Sequence, residues 1–192
     1  MNFFKKFLIL AFFSLSFNAF SLGVGAQINI VPVFSFNSED EKASKSTGGS
    51  EGTKAFENFL LEGGAAFTLK TDNFPLSLSV CNDWDFLNNH FDFSVTADYH
   101  FLESQTGSVS SLFAGLGGAA GTTLFTKDSD LKATLNLAPR AVFGLSWIFY
   151  DGFFEYFVQT SVQPEFSFFN DTGHTCDFSL KIPVNMGVRF YY

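Results

Sequence analysis

Beyond its first twenty-one residues this chain never reaches the roughly 20 consecutive apolar residues of a transmembrane helix, although 46% of its 192 residues are hydrophobic. Charge is equally scarce. Only 16% of residues are Asp, Glu, Lys or Arg, and 11 basic residues stand against 19 acidic ones, which excludes the basic patch that nucleic acid rewards. A soluble barrel would need Lys and Glu across its outer face, and too few are present. There are two cysteines. The first, Cys81, is too far from the N-terminus to carry a lipid there. No serine is legible on a strand-to-helix turn, so a nucleophile elbow has no sequence support.

What is present begins with a leader. Lys5 and Lys6 precede a greasy stretch from Phe7 to Phe17 broken only by serines, and Ala19-Phe20-Ser21 offers a small-x-small cleavage site. This predicts a signal peptide over residues 1–21 and a single domain over 22–192. Without Lys5 and Lys6 the count is 9 basic against 19 acidic residues, or 9 − 19 = −10. Phenylalanine, at 29 residues, is the other excess.

The phenylalanines fall with period two. In the last seventeen residues every even position from Cys176 to Tyr192 is apolar, while Asp177, Ser179, Lys181, Asn185 and Arg189 point the other way, as a pleated strand requires. Seventeen residues far exceeds the usual five or six of a half-buried strand. Seven more segments alternate in the same way: 22–36, 56–70, 75–84, 90–102, 108–126, 131–150 and 153–168. The phase of the fifth is the least defined, because it is rich in glycine and alanine. Asp151-Gly152 reads as a hairpin turn with positive φ. Asn37 to Lys54 is polar and forms the longest connection. Pro139 and Pro183 fall in mid-strand, where a missing N–H predicts bulges or a displaced segment boundary, with Pro32 and Pro164 nearer one rim. The fold class expected is all-β: an eight-stranded antiparallel up-and-down transmembrane β-barrel after a cleaved signal peptide, closed because lipid cannot satisfy an open sheet edge.

The aromatic C-terminal strand, with Phe190 and Tyr192 on one face, resembles the last strand of bacterial outer-membrane barrels. Leader, eight amphipathic segments and short turns on one side are together similar to small barrels of the OmpA, OmpX and OmpW type. That resemblance implies the outer membrane of a diderm bacterium, a monomer in contact with outer-membrane lipid, and recognition of the last strand by the barrel-assembly machinery.

Two residue sets follow from the alternation. The inward set predicts a lumen polar network of Glu62, Lys70, Asp92, Asp98, Lys132, Arg140, Glu155, Glu165, Asp177, Lys181 and Arg189, nearly balanced in charge. An eight-stranded interior is just wide enough to be filled by side chains, which predicts a salt-bridged plug. The outward set predicts membrane-facing aromatic girdles. Phe34, Phe36, Phe59, Phe91, Phe166, Phe168 and Phe178 form the upper one, and Phe67, Tyr99, Phe101, Trp147, Phe149, Phe154, Phe190 and Tyr192 the lower.

Sharper chemistry is weaker. His90, Asp92 and Ser94 share a face, but successive i+2 positions on a strand lie about 7 Å apart, too far for a hydrogen-bonded base and nucleophile. The pairs His90/Asp92 and Asp98/His100 could bind a metal, but two His with flanking acids on one strand are more often satisfied lumen polar groups, and no metal, cofactor or catalytic residue is expected. Cys81 and Cys176 are expected on opposite faces of non-neighbouring strands, which disfavours a disulfide. The leading expectation is a structural, surface-exposed interaction protein, with residues 37–54 meeting an external ligand or host surface. The alternative is an OmpW-like passive conduit for small hydrophobic molecules. A lipid-modifying enzyme and a soluble barrel with its apolar face inward are the remaining rivals.

Overall fold

A computed structural model describes residues 21–36, 59–71, 74–85, 90–127, 130–169 and 176–192, leaving aside the side chains of 90, 125–127, 130–132 and 169. The leader residues 1–20 and the connection 37–54 lie outside the described residues. The strands are β1 (Leu22–Phe36), β2 (Phe59–Thr71), β3 (Leu76–Asp85), β4 (His90–Gln105), β5 (Ser110–Lys127), β6 (Asp130–Phe149), β7 (Phe154–Phe169), β8 (Cys176–Lys181) and β9 (Val184–Tyr191). Each pairs antiparallel with the next around the wall, and β8 with β9 make one interrupted eighth stave. Leu22–Phe36 closes the circle by pairing with β2 on one side and with β8 and β9 on the other.

The inside-out burial follows from the alternation. Most buried side chains are polar or charged, among them Arg189, Glu155, Lys181 and Arg140. The large exposed side chains are apolar, from Ile28, Leu116 and Phe143 to Phe101. This disposes of the soluble rival, in which phenylalanines would fill the interior. Leu112 and Leu116 point outward, which also settles the phase of β5.

No bulge forms at Pro139 or Pro183, but the eighth stave is interrupted at Pro183, between Lys181 and Val184, the boundary expected as the alternative. Register is unchanged along β1 from Ile30↔Val184 to Val33↔Lys181, and along β6 from Leu137↔Phe166 to Ala141↔Val162. The prolines are instead matched across the wall. Pro139 faces Pro164 on that unbroken register, so two missing N–H groups share one gap in the ladder. Pro32 faces Ile182, whose N–H donates to its carbonyl at 2.9 Å. The one register shift among the described pairs lies between Tyr99/Leu116 and Leu102/Ala114, just beyond His100. Asp151-Gly152 forms the expected turn at positive φ, with Asp151 at φ 55 and Gly152 at φ 97 inside a 3.2 Å hydrogen bond from Phe153 N–H to Tyr150 O, and Tyr150 joins them at φ 55.

Outward rings gather at the two ends. Phe34–Phe59, Phe36–Phe178, Phe166–Phe178 and Trp84–Phe91 touch at the end bearing residues 37–58, called here the loop end. Trp147–Tyr156, Phe149–Phe154 and Phe154–Phe190 touch at the opposite, turn end, where Phe153 also meets Tyr192. Tyr99 stacks there with Phe74, and Phe101 is fully outward beside the register shift. Phe67 stands outward between Ala26 and Val80, and Phe168 opposite Leu135 and Cys176.

Candidate functional site

The site the fold builds is its lumen, and the register decides who meets whom there. At the turn end Glu155 lies directly across from Arg189. Arg189 donates to Glu155 Oε2 at 3.0 Å, to Thr68 Oγ1 at 3.1 and 3.2 Å and to Ser77 Oγ at 3.3 Å, with its guanidinium 3.8 Å above the Phe157 ring. Both charged side chains are fully buried. Tyr191 Oη donates to Glu155 Oε2 at 2.7 Å, and Lys70 Nζ reaches Glu155 at 3.3 Å and Glu103 at 3.5 Å. Every strong acceptor on Glu155 is therefore occupied by a donor.

These contacts span a strand, and glycine is why. Gly25 sits in register between Thr68 and Arg189, so the guanidinium crosses a position that has no side chain. The same device recurs. Gly64 lies between Asn29 and Asp83, joined by a 2.9 Å hydrogen bond, and Gly117 lies between Asp98 and Arg140, joined at 3.1 Å. A Cβ on Gly117 would stand 2.2 Å from Ala97 O and 2.3 Å from Asp98 Oδ1. Gly117→Val is accordingly expected to separate the Arg140–Asp98 pair and cost about 3 kcal/mol of stability, read by urea titration of the detergent-solubilised protein.

Toward the loop end a single lysine gathers three acids. Lys181 Nζ lies 2.6 Å from Asp92 Oδ2, 3.1 Å from Glu165 and 3.7 Å from Glu62. Arg140 donates to Gln163 Oε1 at 3.0 Å, linking this cluster to the Arg140–Asp98 pair below. Between them, bounded by Asn29, Cys81, Asp83 and Asn185, is a cavity of about 20 Å³, room for about one water. Above Lys181 the lumen widens to about 350 Å³.

Of the eleven residues singled out as inward, ten enter these clusters or the cavity wall, Asp177 half-buried on that wall among them. Lys132 lies in β6, and its side chain is outside the described residues, as is that of His90. Asp92 is committed to Lys181, and His100 stacks on Phe113 at 4.6 Å, so neither stands with a nucleophile. Among the described residues no three His, Cys, Asp or Glu side chains are placed to hold a metal. Cys81 is buried, Cys176 exposed, and both are free thiols. The expected inward set leaves out further buried residues, among them Asp83 and Asp85, which continue the phase of Cys81, and Phe113 and Phe157, which have inward parity but are apolar. Gly144 makes room for Phe113, since a Cβ there would stand 2.2 Å from its ring.

Among known structures the chain is similar to Neisserial surface protein A, with a TM-score of 0.53 at 8% identity over 88% of this chain and 97% of that one. The chain has the fold of the small outer-membrane barrels. Looser matches are Ail of Yersinia pestis, solved with the heparin analogue sucrose octasulfate (TM-score 0.45, 12% identity, 90% and 99% covered), and the N-terminal barrel domain of Pseudomonas aeruginosa OprF (TM-score 0.41, 12% identity, 85% and 96% covered). No family model matches, and no curated protein matches in sequence. For this barrel, then, the likeness speaks to architecture alone, and function is argued from the lumen and the faces.

Proposed function

We propose that this barrel is an integral protein of the outer membrane of a diderm bacterium, closed to solutes along its axis, which acts as a structural, surface-exposed interaction protein through the connections at its loop end. The observation that carries the reading is the ion pairing across the lumen, Arg189–Glu155 at one level and Lys181 with Asp92 and Glu165 at another, with room for about one water between. An inward charge pays for burial only when paired, and these pairs reach from wall to wall.

The apolar outer face and its ring clusters make lipid the natural surroundings, with the aromatics at the two interfaces. Residues 1–21 act as the removed export signal, the strand ending at Tyr192 is the segment offered to the assembly machinery, and the protein works as a monomer without a catalytic centre, metal or cofactor. Residues 37–54 belong to the longest connection and are the first candidate to meet an external ligand or host surface. The apolar-conduit reading is the weaker one. Its path would run onto the charged Lys181 floor, and the hydrogen-bonded wall leaves no lateral exit at that level.

Protein expressed from the full chain and extracted from membranes in detergent is expected to migrate differently on gels before and after boiling, and to give no steady single-channel steps in planar bilayers. Reproducible channels in the unboiled, folded sample would overturn the closed lumen. Folding in plain buffer without detergent would overturn the membrane assignment.

A further inference from the structure

The wide cavity at the loop end is unbalanced in charge. Among the described residues, Glu62, Glu165 and Asp177 line it, against one ammonium, that of Lys181. That ammonium is already turned to Asp92 at 2.6 Å and Glu165 at 3.1 Å, leaving Glu62 at 3.7 Å the least satisfied of its partners. A carboxylate in such a place calls for a further positive charge.

Uncharged groups on the same wall point the same way. Asn136 and Thr134 are each 3% exposed and line the cavity, yet among the described residues Asn136 Oδ1 and Thr134 Oγ1 have no hydrogen-bond partner, and neither has Glu62 Oε2. The amide nitrogen of Asn136 is used on Thr123 Oγ1 at 2.6 Å, so its oxygen is the group left over. Two of the three unmet atoms are acceptors only, and the hydroxyl of Thr134 accepts as readily as it donates. What is missing is a donor. Across from them Val33, Leu60 and Phe178 form an apolar wall.

We propose that this cavity binds a small organic ammonium, which donates to Glu62 and Asn136 and lays its methylenes against Val33, Leu60 and Phe178. A bare metal ion fits the site poorly, since it gains nothing from an apolar wall and no metal-holding trio is present among the described residues. An anion is repelled by the three carboxylates, and the net charge of −8 draws cations toward the mouth. The proposal builds on the closed lumen above, because the Lys181 cluster is both the barrier and the floor of the site.

The test is calorimetric titration of the detergent-solubilised protein with n-butylamine and 1,4-diaminobutane, with butyrate and calcium as counter-probes. The amines are expected to bind saturably and butyrate not at all. Glu62→Gln is expected to weaken amine binding about tenfold or more while keeping the heat-shifted migration, because Lys181 retains Asp92 and Glu165. Asn136→Leu, which removes the free oxygen without touching a charge, should weaken it as well. Equal amine affinity in wild type and Glu62→Gln, calcium binding without amine binding, or no binding by any probe would each overturn the site. Bilayer recordings on the same sample separate the two claims: channels alongside amine binding overturn the closed lumen and leave the site, whereas silence in both assays overturns the site alone.

Discussion

Replacing Lys181 by methionine is expected to lower the unfolding free energy by about 4–5 kcal/mol, the largest effect of any single lumen substitution. The ammonium is the common partner of Asp92, Glu165 and Glu62, with Nζ–O distances of 2.6, 3.1 and 3.7 Å. Removing it leaves three carboxylates facing one another at the floor of the loop-end cavity, so unpaired burial and mutual repulsion add. Arg140 cannot step in, because it is held by Asp98 and Gln163. The measurement is urea unfolding in detergent followed by fluorescence of Trp84 and Trp147. Lys181→Arg, which keeps the charge, is expected to recover more than half of the loss. A Lys181→Met barrel within about 1 kcal/mol of wild type would mean that water reaches these acids freely and that the lumen is not closed at this level.

Arg189→Met is expected to cost about 3 kcal/mol, less than the lysine although Arg189 is the largest fully buried side chain. The difference lies in what remains. Glu155 would keep Lys70 at 3.3 Å and the Tyr191 hydroxyl at 2.7 Å, so its charge is not stranded. The larger part of the loss comes from packing on Phe157 and from Thr68 and Ser77, which lose their donor. The double substitution Glu155→Gln with Arg189→Met tests the division. If the charge pair dominates, the double variant regains about 1–2 kcal/mol over the single one; if packing dominates, it regains almost nothing.

Much of this architecture could be read from the chain. Period-two alternation assigns faces residue by residue, so Lys70, Asp98, Arg140, Lys181 and Arg189 were legible as inward, and Phe36, Phe143 and Phe166 as outward. It works because a slip of one residue would turn Arg140 to lipid at a cost of roughly 2–4 kcal/mol near the midplane. The method failed where parity and polarity disagree. Phe113 and Phe157 are apolar yet inward, because each packs its ring on a charged or polar neighbour, Phe157 under Arg189 and Phe113 against His100. The bulges expected at Pro139 and Pro183 failed for another reason. A proline's cost depends on what its partner strand offers: the gap at Pro139 coincides with that at Pro164, and at Pro183 the strand is interrupted instead.

The sequence by itself therefore determined the number of staves, the side of the wall each residue faces and the apolar surface that demands lipid, since all three follow from a local period. Only the tertiary structure decided which charge meets which. Lys181 is 89 residues from Asp92, and Arg189 is 121 from Thr68. Such meetings are set by the stagger with which the circle closes, and by glycines 25, 64 and 117, whose bare positions let side chains two strands apart touch. Alternation is a property of one strand, whereas a contact across a glycine needs three strands in register, and at Gly25 closure of the circle supplies the third.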